Sequence, residues 1–195
     1  DLVKCSDILF VCVKPQQIES LLKELSACDL ETKCFVSILA GTPLSFYRDA
    51  LGNAVQLVRV MPNTPALLSA GMTGLYFDDS VSSPYRDAIQ LLFEGAGETL
   101  VLDNERKLDV VTGLSGSGPA FYYRIAQKLS EVGEAYWLSK EDALKLVSQT
   151  MLGAAVMLQK SDKLPETLIS EVSSPNGTTV AGLEQWDRST IDQEL

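Results

Sequence analysis

The spacing of apolar residues changes once along this chain, near Asp103, and that change limits the folds it can adopt. Before Asp103, short continuous apolar runs alternate with short helical patterns, which is typical of an open α/β sheet with parallel strands covered on both faces. After Asp103 only helical spacing remains. We therefore predict a parallel α/β sheet in residues 1–103 and an all-α domain in residues 104–195. The predicted strands occupy residues 8–13, 34–39, 55–60, 72–77 and 99–102.

Three predicted strands end in small or rigid residues. The segments that follow them are Val13-Lys14-Pro15, Ala40-Gly41 and Met61-Pro62-Asn63. Ligands of open parallel sheets bind beyond the carboxyl ends of the strands, so these segments predict a ledge for a ligand. The alternative is that these residues only form turns and bind no ligand.

Two helix starts bear on a possible site. Thr42 is predicted to cap a helix that has Pro43 in its first position and Gly52 at its end. Asp103 is predicted to cap a second helix, which places Glu105 in its first turn.

Two loops rich in glycine and hydroxyl groups each lead into a helix. The first is residues 112–120, Thr-Gly-Leu-Ser-Gly-Ser-Gly-Pro-Ala, and the second is residues 173–179, Ser-Ser-Pro-Asn-Gly-Thr-Thr. Backbone N–H groups in such turns converge on anions, so we predict that the loops bind the carboxylate of a small molecule. Ser115, Ser174 and Thr178 could equally be turn or capping residues that bind nothing.

The helix predicted over residues 141–158 is apolar on nearly every side. Ser139 and Asp142 form a capping pattern at its start. A helical domain of this size has too little interior to bury such a helix, so we predict a homodimer in which a second copy covers it.

Composition excludes several classes of protein. The net charge of −10 argues against nucleic-acid binding, and no apolar run has the length of a membrane span. Histidine is absent and the four cysteines match no zinc spacing, so we predict no metal site and buried thiols of a cytoplasmic protein. A mitochondrial location stays open, because any targeting segment would lie upstream.

Six stretches together resemble the pyrroline-5-carboxylate reductase family. They are residues 11–15 (VCVKP), 36–41 (VSILAG), 59–66 (RVMPNTPA), 112–120 (TGLSGSGPA), 149–155 (QTMLGAA) and 173–179 (SSPNGTT). The resemblance implies a Rossmann-like domain that binds NADPH or NADH and a helical domain that forms a homodimer or a higher oligomer. It also implies reduction of 1-pyrroline-5-carboxylate to L-proline, the last step of proline biosynthesis.

The chain departs from the family pattern at both ends. It contains no strand followed by Gly-x-Gly-x-x-Gly, and the resemblance is lost after Trp186. We therefore expect a Rossmann-like sheet that is incomplete at its N-terminus, in a fragment that could be inactive alone. A related reductase of another small acid and a truncated form that only dimerises are the alternatives.

The resemblance assigns cofactor contacts to four parts of the chain. Asn63 is expected close to the nicotinamide. Glu171 stands where some relatives have an amide side chain that contacts the cofactor. The other expected cofactor residues are Cys12, Val13, Lys14 and Pro15 in the cleft, and Ile38, Leu39 and Ala40 beside the nicotinamide.

The resemblance also implies residues for substrate binding and catalysis. Glu105 is expected to stabilise the protonated ring nitrogen, and the Thr179 hydroxyl to bind that nitrogen and deliver its proton. Thr178 is expected to contact the substrate as well. The loop prediction adds Ser115, Ser174 and Gly177 to the substrate site. Asn176 stands where the family usually has glycine, and we expect it to tolerate a left-handed backbone.

Overall fold

The computed structural model describes residues 2–190, which divide into two compact units between Arg124 and Ile125. The first unit contains the sheet and the glycine-rich stretch. The described part of the second unit contains helices and no strand. The contacts therefore divide the chain further along than the change of pattern at Asp103. The domain boundary drawn from that pattern stays a prediction.

The first unit is built on one five-stranded sheet in the order β1-β2-β3-β4-β5. Its strands are β1 (Ile8–Val11), β2 (Cys34–Ser37), β3 (Gln56–Met61), β4 (Gly71–Phe77) and β5 (Gly97–Val101). Three of the four strand pairs are parallel. The predicted α/β sheet is therefore confirmed, with strand ends within a few residues of their predicted places.

The pair β3–β4 is antiparallel, which the sequence prediction of an all-parallel sheet missed. A parallel return needs a crossover of about a dozen residues or more. Only residues 62–70 connect β3 to β4, and they contain a short 3₁₀ turn, Thr64–Leu68. The connection is too short for a crossover, so the chain turns back beside the strand that it has just left.

In this chain the first strand is fully covered on one face only. Leu9 and Val11 are buried on one face of β1, but Phe10 on the other face is 39% exposed. Its ring packs edge to face against Phe93, at 6.2 Å between centroids. The neighbouring strand β2, by contrast, is buried along its whole length.

Helices cover both faces of the sheet. On one face, α2 and α3 contribute Ile18, Leu22, Leu44 and Tyr47 to a core with β1–β3. On the other face, Ile89 of α4 packs against β2–β4. The helices of this unit are α1 (Leu2–Cys5), α2 (Ile18–Leu25), α3 (Leu44–Leu51), α4 (Ser83–Glu94) and α5 (Lys107–Val111).

Two helix starts differ from their predicted positions. The N-cap of α3 is Pro43 rather than Thr42, although Gly52 ends the helix as predicted, with φ at 86°. The N-cap of α5 is Arg106 rather than Asp103. The side chain of Asn104 instead accepts a hydrogen bond from the Arg106 N–H, at 2.9 Å, so a turn precedes the helix. Glu105 consequently lies in that turn and not in a helix.

The remaining helices are α6 (Gly118–Ala135), α7 (Lys140–Lys160), α8 (Pro165–Glu171) and α9 (Thr178–Asp187). Ser139 is the N-cap of α7, as predicted, and its hydroxyl accepts from the Asp142 N–H at 3.1 Å. Ala143 is the only buried residue of α7 within this single chain. Across residues 2–190, no helix combines the length and the apolar character that a bilayer crossing requires.

Candidate active site

The carboxyl ends of β1, β2 and β3 lie side by side. Val11 of β1 pairs in register with Ser37 of β2, and Ser37 pairs with Arg59 of β3. The segments after these ends are those predicted to form a ledge. Beyond β1, Cys12, Lys14 and Pro15 are exposed and Val13 is half-buried. Three adjacent parallel strands therefore end at one edge of the sheet, where ligands of such sheets bind.

The loop after β2 presents small, open residues at that edge. Ala40 and Gly41 are exposed, Leu39 is buried and Ile38 is half-buried. Gly41 has φ at 69°, and no atom lies within 4 Å of the position where a side chain would begin. An open loop of small residues at the strand ends leaves space for the nucleotide cofactor expected there.

Asn63 holds the end of β3 against two other segments. Its side-chain oxygen accepts from the Met72 N–H at 3.0 Å, at the start of β4. Its amide nitrogen donates to the Ser115 hydroxyl at 3.1 Å and to the Ser115 carbonyl at 3.3 Å. The amide group is thus engaged within the protein, whereas the role predicted for it was a contact with the cofactor. That contact stays a prediction.

The glycine-rich stretch is helical, which differs from the turn that the sequence suggested. Thr112–Gly116 forms one turn of π-helix that continues directly from α5. The Ser117 N–H donates to the Thr112 carbonyl at 2.8 Å, and the Thr112 hydroxyl donates to the Leu108 carbonyl at 2.7 Å. Single π-helical turns of this kind are often found at functional sites.

Close packing explains one of the glycines in this turn. A side chain on Gly116 would start 2.5 Å from the Met61 methyl group. The π-helical turn therefore lies directly against the end of β3, beside Asn63.

Glu105 forms an ion pair beneath the same edge. Its Oε1 atom accepts from Arg59 Nη1 at 2.8 Å and from the Leu44 N–H at 2.7 Å. Arg59 is 6% exposed, and the Glu105 side chain is 26% exposed. The resemblance assigned Glu105 to the substrate nitrogen. The structure shows it joining β3 to the first residue of α3, and the catalytic role stays a prediction.

Burial shifts the protonation equilibria of several groups in this unit, among them Tyr47 and Cys34. Burial raises the pKa of the Tyr47 hydroxyl, while its hydrogen bonds with Ser37 and Thr42 act in the opposite direction. Tyr47 and Ser37 lie 2.6 Å apart, oxygen to oxygen. Burial also raises the pKa of the Cys34 thiol to about 12. Cys34 is buried as predicted, whereas Cys5, Cys12 and Cys28 are exposed, which corrects the prediction of four buried thiols.

In the second unit, residues 173–179 form a tight turn that leads into α9. The Gly177 N–H donates to the Ser174 carbonyl at 2.9 Å, and Asn176 has φ at 59°. The left-handed backbone expected for Asn176 is therefore present. Gly177 is the N-cap of α9, so Thr178 and Thr179 are its first two residues. Neither Ser174 nor Thr178 is therefore the N-cap of α9, which was the alternative role for these two residues.

The N–H groups of the first turn of α9 have no carbonyl of their own helix to bind. They and the helix dipole favour an anion at this end. Ser174 and Thr178 are exposed, and Gly177 and Thr179 are half-buried. Binding of a carboxylate at this turn stays a prediction.

Glu171 ends α8 and forms an ion pair with Lys163 at 2.5 Å. Its contact with the cofactor stays a prediction. Among residues 2–190, no group of three or more cysteine, aspartate or glutamate side chains is placed to hold a metal ion.

Sequence reasoning missed Arg59, Ser37 and Tyr47, which support the strand-end edge. One signal was present, because Arg59 is the only charged residue in the predicted strand of residues 55–60. A charged side chain in a buried strand is rare unless it is paired.

Two family models match the chain in separate regions. Residues 105–195 match the model described as pyrroline-5-carboxylate reductase dimerisation. Residues 1–41 match the model described as NADP oxidoreductase, coenzyme F420-dependent.

Individual relatives are similar in sequence to this chain over nearly its whole length. The pyrroline-5-carboxylate reductase of Pseudomonas aeruginosa is 39% identical over 187 residues, covering 96% of this chain and 68% of that protein. The enzyme of the same name from Arabidopsis thaliana is 37% identical over 195 residues, covering all of this chain and 70% of that protein. The structure of Plasmodium falciparum pyrroline carboxylate reductase with NADP bound superposes with a TM-score of 0.92 at 30% identity, covering 99% of this chain and 73% of that one.

Proposed function

Because the chain belongs to the pyrroline-5-carboxylate reductase family, we propose that it reduces 1-pyrroline-5-carboxylate to L-proline with NADPH. The observation that carries this proposal is the edge formed by the carboxyl ends of β1–β3. Its open residues Cys12, Ala40 and Gly41 leave room for a nicotinamide nucleotide.

The reaction moves a hydride to the C=N carbon of a five-membered cyclic imine and a proton to its nitrogen. When bound, NADPH supplies the hydride. The protein's part is to hold the reactants in register and to stabilise the cationic, protonated imine that accepts hydride readily.

We assign the substrate carboxylate to the turn of residues 174–177 and the first turn of α9. The N–H groups of Thr178 and Thr179 supply donors for it, since the Gly177 N–H is already bonded to the Ser174 carbonyl. The helix dipole adds about 0.3–1 kcal/mol, or up to ~2 kcal/mol where the site is partly buried. The Thr179 hydroxyl is assigned to the ring nitrogen and its proton.

We further propose that the protein acts as a homodimer formed through its helical region. The match of residues 105–195 to a dimerisation model and the exposed apolar surface of α7 support this assignment. The expected location is the cytoplasm.

The function is tested by following NADPH absorbance in the presence of 1-pyrroline-5-carboxylate, with NADH and other small cyclic imino acids in parallel. NADPH oxidation that depends on this substrate supports the proposal. A protein that is folded and binds NADPH but oxidises it only with another imine contradicts the assigned substrate.

Thr179→Val removes the proposed proton donor while keeping the shape of the side chain. We expect kcat to fall by about 100-fold, the lower range for loss of a positioned acid or base. The control is Thr167→Val, which alters an exposed threonine on α8 and should leave kcat unchanged. Equal rates for the two variants would remove Thr179 from the mechanism.

A further inference from the structure

Arg59 is the only charged side chain among the buried residues of the described chain, residues 2–190. It lies in the middle strand of the sheet, in register with Ser37 on one side and Tyr76 on the other. A buried charge is costly unless it is paired and hydrogen-bonded. A cation retained at this position therefore needs a specific partner.

Glu105 is that partner, and it does more than neutralise the charge. Glu105 Oε1 accepts both from Arg59 Nη1 and from the Leu44 N–H. Leu44 is the first residue of α3. Through Glu105, Arg59 therefore fixes the point where the loop after β2 enters its helix.

The opposite end of the same loop is fixed as well. The Leu39 N–H donates to the Ser37 hydroxyl at 3.2 Å, and that hydroxyl is hydrogen-bonded to Tyr47 of α3. The loop of residues 38–43 is thus anchored at both ends, while Ala40 and Gly41 between the anchors are exposed.

We propose that Arg59 is a positioning residue for the cofactor. It holds Glu105, and Glu105 holds the loop of residues 38–43 in the place where that loop flanks the nicotinamide. This inference rests on the proposed function, since it concerns the same cofactor site. It gives Arg59 a role in cofactor affinity, although Arg59 is buried and its guanidinium bonds to the Glu105 carboxylate.

The inference is tested with the protein at its natural length and three variants. Arg59→Met removes the ion pair, Arg59→Lys keeps the charge, and Glu105→Gln keeps an acceptor for the Leu44 N–H without the charge. The matched control is Arg48→Met. It removes the ion pair of Arg48 with Asp78, at 2.7 Å, which lies at the far end of the same helix α3.

Three measurements are made on each variant. Amide hydrogen exchange of Leu39 and Leu44 reports the anchoring of the loop. Steady-state kinetics give kcat and a KM for NADPH and for the imine substrate, and a fluorescence titration gives the Kd for NADPH.

We expect Arg59→Met to speed exchange at Leu44 and to raise both KM and Kd for NADPH by about tenfold, equivalent to ~1.4 kcal/mol. The KM for the imine and kcat should change by less than about threefold. Arg59→Lys should restore part of the NADPH affinity, and Arg48→Met should change neither readout. Where Arg59→Met fails to fold, Arg59→Lys and Glu105→Gln give the same comparison.

Unchanged exchange at Leu44 in the Arg59 variants would overturn the inference. So would faster exchange with unaltered NADPH affinity. A fall in kcat alone, seen for Glu105→Gln and not for the Arg59 variants, would show that Glu105 acts on the substrate directly. If the unaltered protein binds NADPH without reducing the imine, the proposed function fails while exchange and Kd still decide the inference; if it does not bind NADPH, both fail.

Discussion

Asn176 has a backbone conformation that usually belongs to glycine. Its φ of 59° lies in the left-handed region, where asparagine is tolerated because its short polar side chain can bond locally. A β-branched residue there costs about 1–2 kcal/mol. The turn that leads to the Thr178 and Thr179 N–H groups therefore relies on a residue that tolerates this conformation.

We predict that Asn176→Val weakens substrate binding and Asn176→Gly preserves it. The valine variant should raise the KM for the imine substrate several-fold, since the turn must relax to accommodate the side chain. The KM for NADPH serves as the internal control and should stay constant. Equal KM values for the imine in the two variants would show that the turn does not bind the substrate.

Cys34 is buried, whereas the other three cysteines are exposed. Burial raises the pKa of its thiol to about 12, from the ordinary value of 9.0. At pH 8 its thiolate fraction is therefore lower by roughly a thousandfold, and the thiolate is the reactive form.

We predict that a disulfide reagent at pH 8 modifies Cys5, Cys12 and Cys28 quickly and Cys34 only after unfolding. The raised pKa also predicts how stability depends on pH. The neutral thiol favours the folded state below pH 9, and this contribution declines as the pH rises from about 9 towards about 12. Cys34→Ala should remove that part of the alkaline loss of stability. Four thiols reacting at one fast rate in the native protein would contradict this account.

At the scale of elements, local patterns predicted which segments form strands and helices, but they did not predict that β4 runs antiparallel to β3. The apolar run of residues 55–60 identifies β3, and the four apolar positions of residues 18–25 identify α2. The reversal between β3 and β4 depends on the length of their connection, which the pattern of the strands alone does not show. Counting residues 62–70 against the length of a crossover would have predicted it.

In the candidate site too, some features were predictable from local sequence patterns and others were not. The strand ends and the two glycine-rich loops were visible in the sequence, because turn residues and strand periodicity are local signals. The bonds of Asn63 to Ser115 and of Arg59 to Glu105 join residues about 50 positions apart. Such pairs become apparent only when the sheet and α5 are packed together.

The contact between β4 and α5 is the element-scale feature that brings those pairs together. A side chain on Gly74 of β4 would start 2.9 Å from the Val111 Cγ1 atom and 3.3 Å from the Leu108 Cδ2 atom of α5. Leu108 is 1% exposed, so this contact has little room to adjust.

We predict that Gly74→Ala lowers the free energy of unfolding by about 1–3 kcal/mol, as overpacking of a filled core does. The control is Gly182→Ala on the exposed α9, where no atom lies within 4 Å of the new side chain. That substitution should be neutral or stabilising by up to ~1 kcal/mol, because alanine favours a helix more than glycine does. Urea unfolding of both variants measures the difference, and equal midpoints would contradict the packing argument.

At the scale of the whole molecule, the second unit exposes more apolar surface than a stable monomer commonly does. Six apolar side chains of α7 are between 37% and 57% exposed: Leu144, Leu146, Leu152, Val156, Met157 and Leu158. A groove of about 370 Å³ between α7 and α8 is lined mainly by apolar side chains, including Met157, Leu168 and Ile169. At the connection that precedes α7, Trp137 is 92% exposed.

These exposed surfaces predict that the protein associates through α7, and a charge on that helix tests the association. We expect Leu152→Glu to shift the protein from a dimer, or a larger even-numbered oligomer, to a monomer in sedimentation equilibrium, because an unpaired charge is costly in an apolar interface. Leu91→Glu is the matched control, since Leu91 lies on α4 of the first unit and is itself 70% exposed. That variant should keep the oligomeric state of the unaltered protein. Circular dichroism separates dissociation from unfolding, because a dissociated Leu152→Glu protein keeps its helical signal. A folded Leu152→Glu variant with unchanged mass would place the interface away from α7, and its surface would then need another partner.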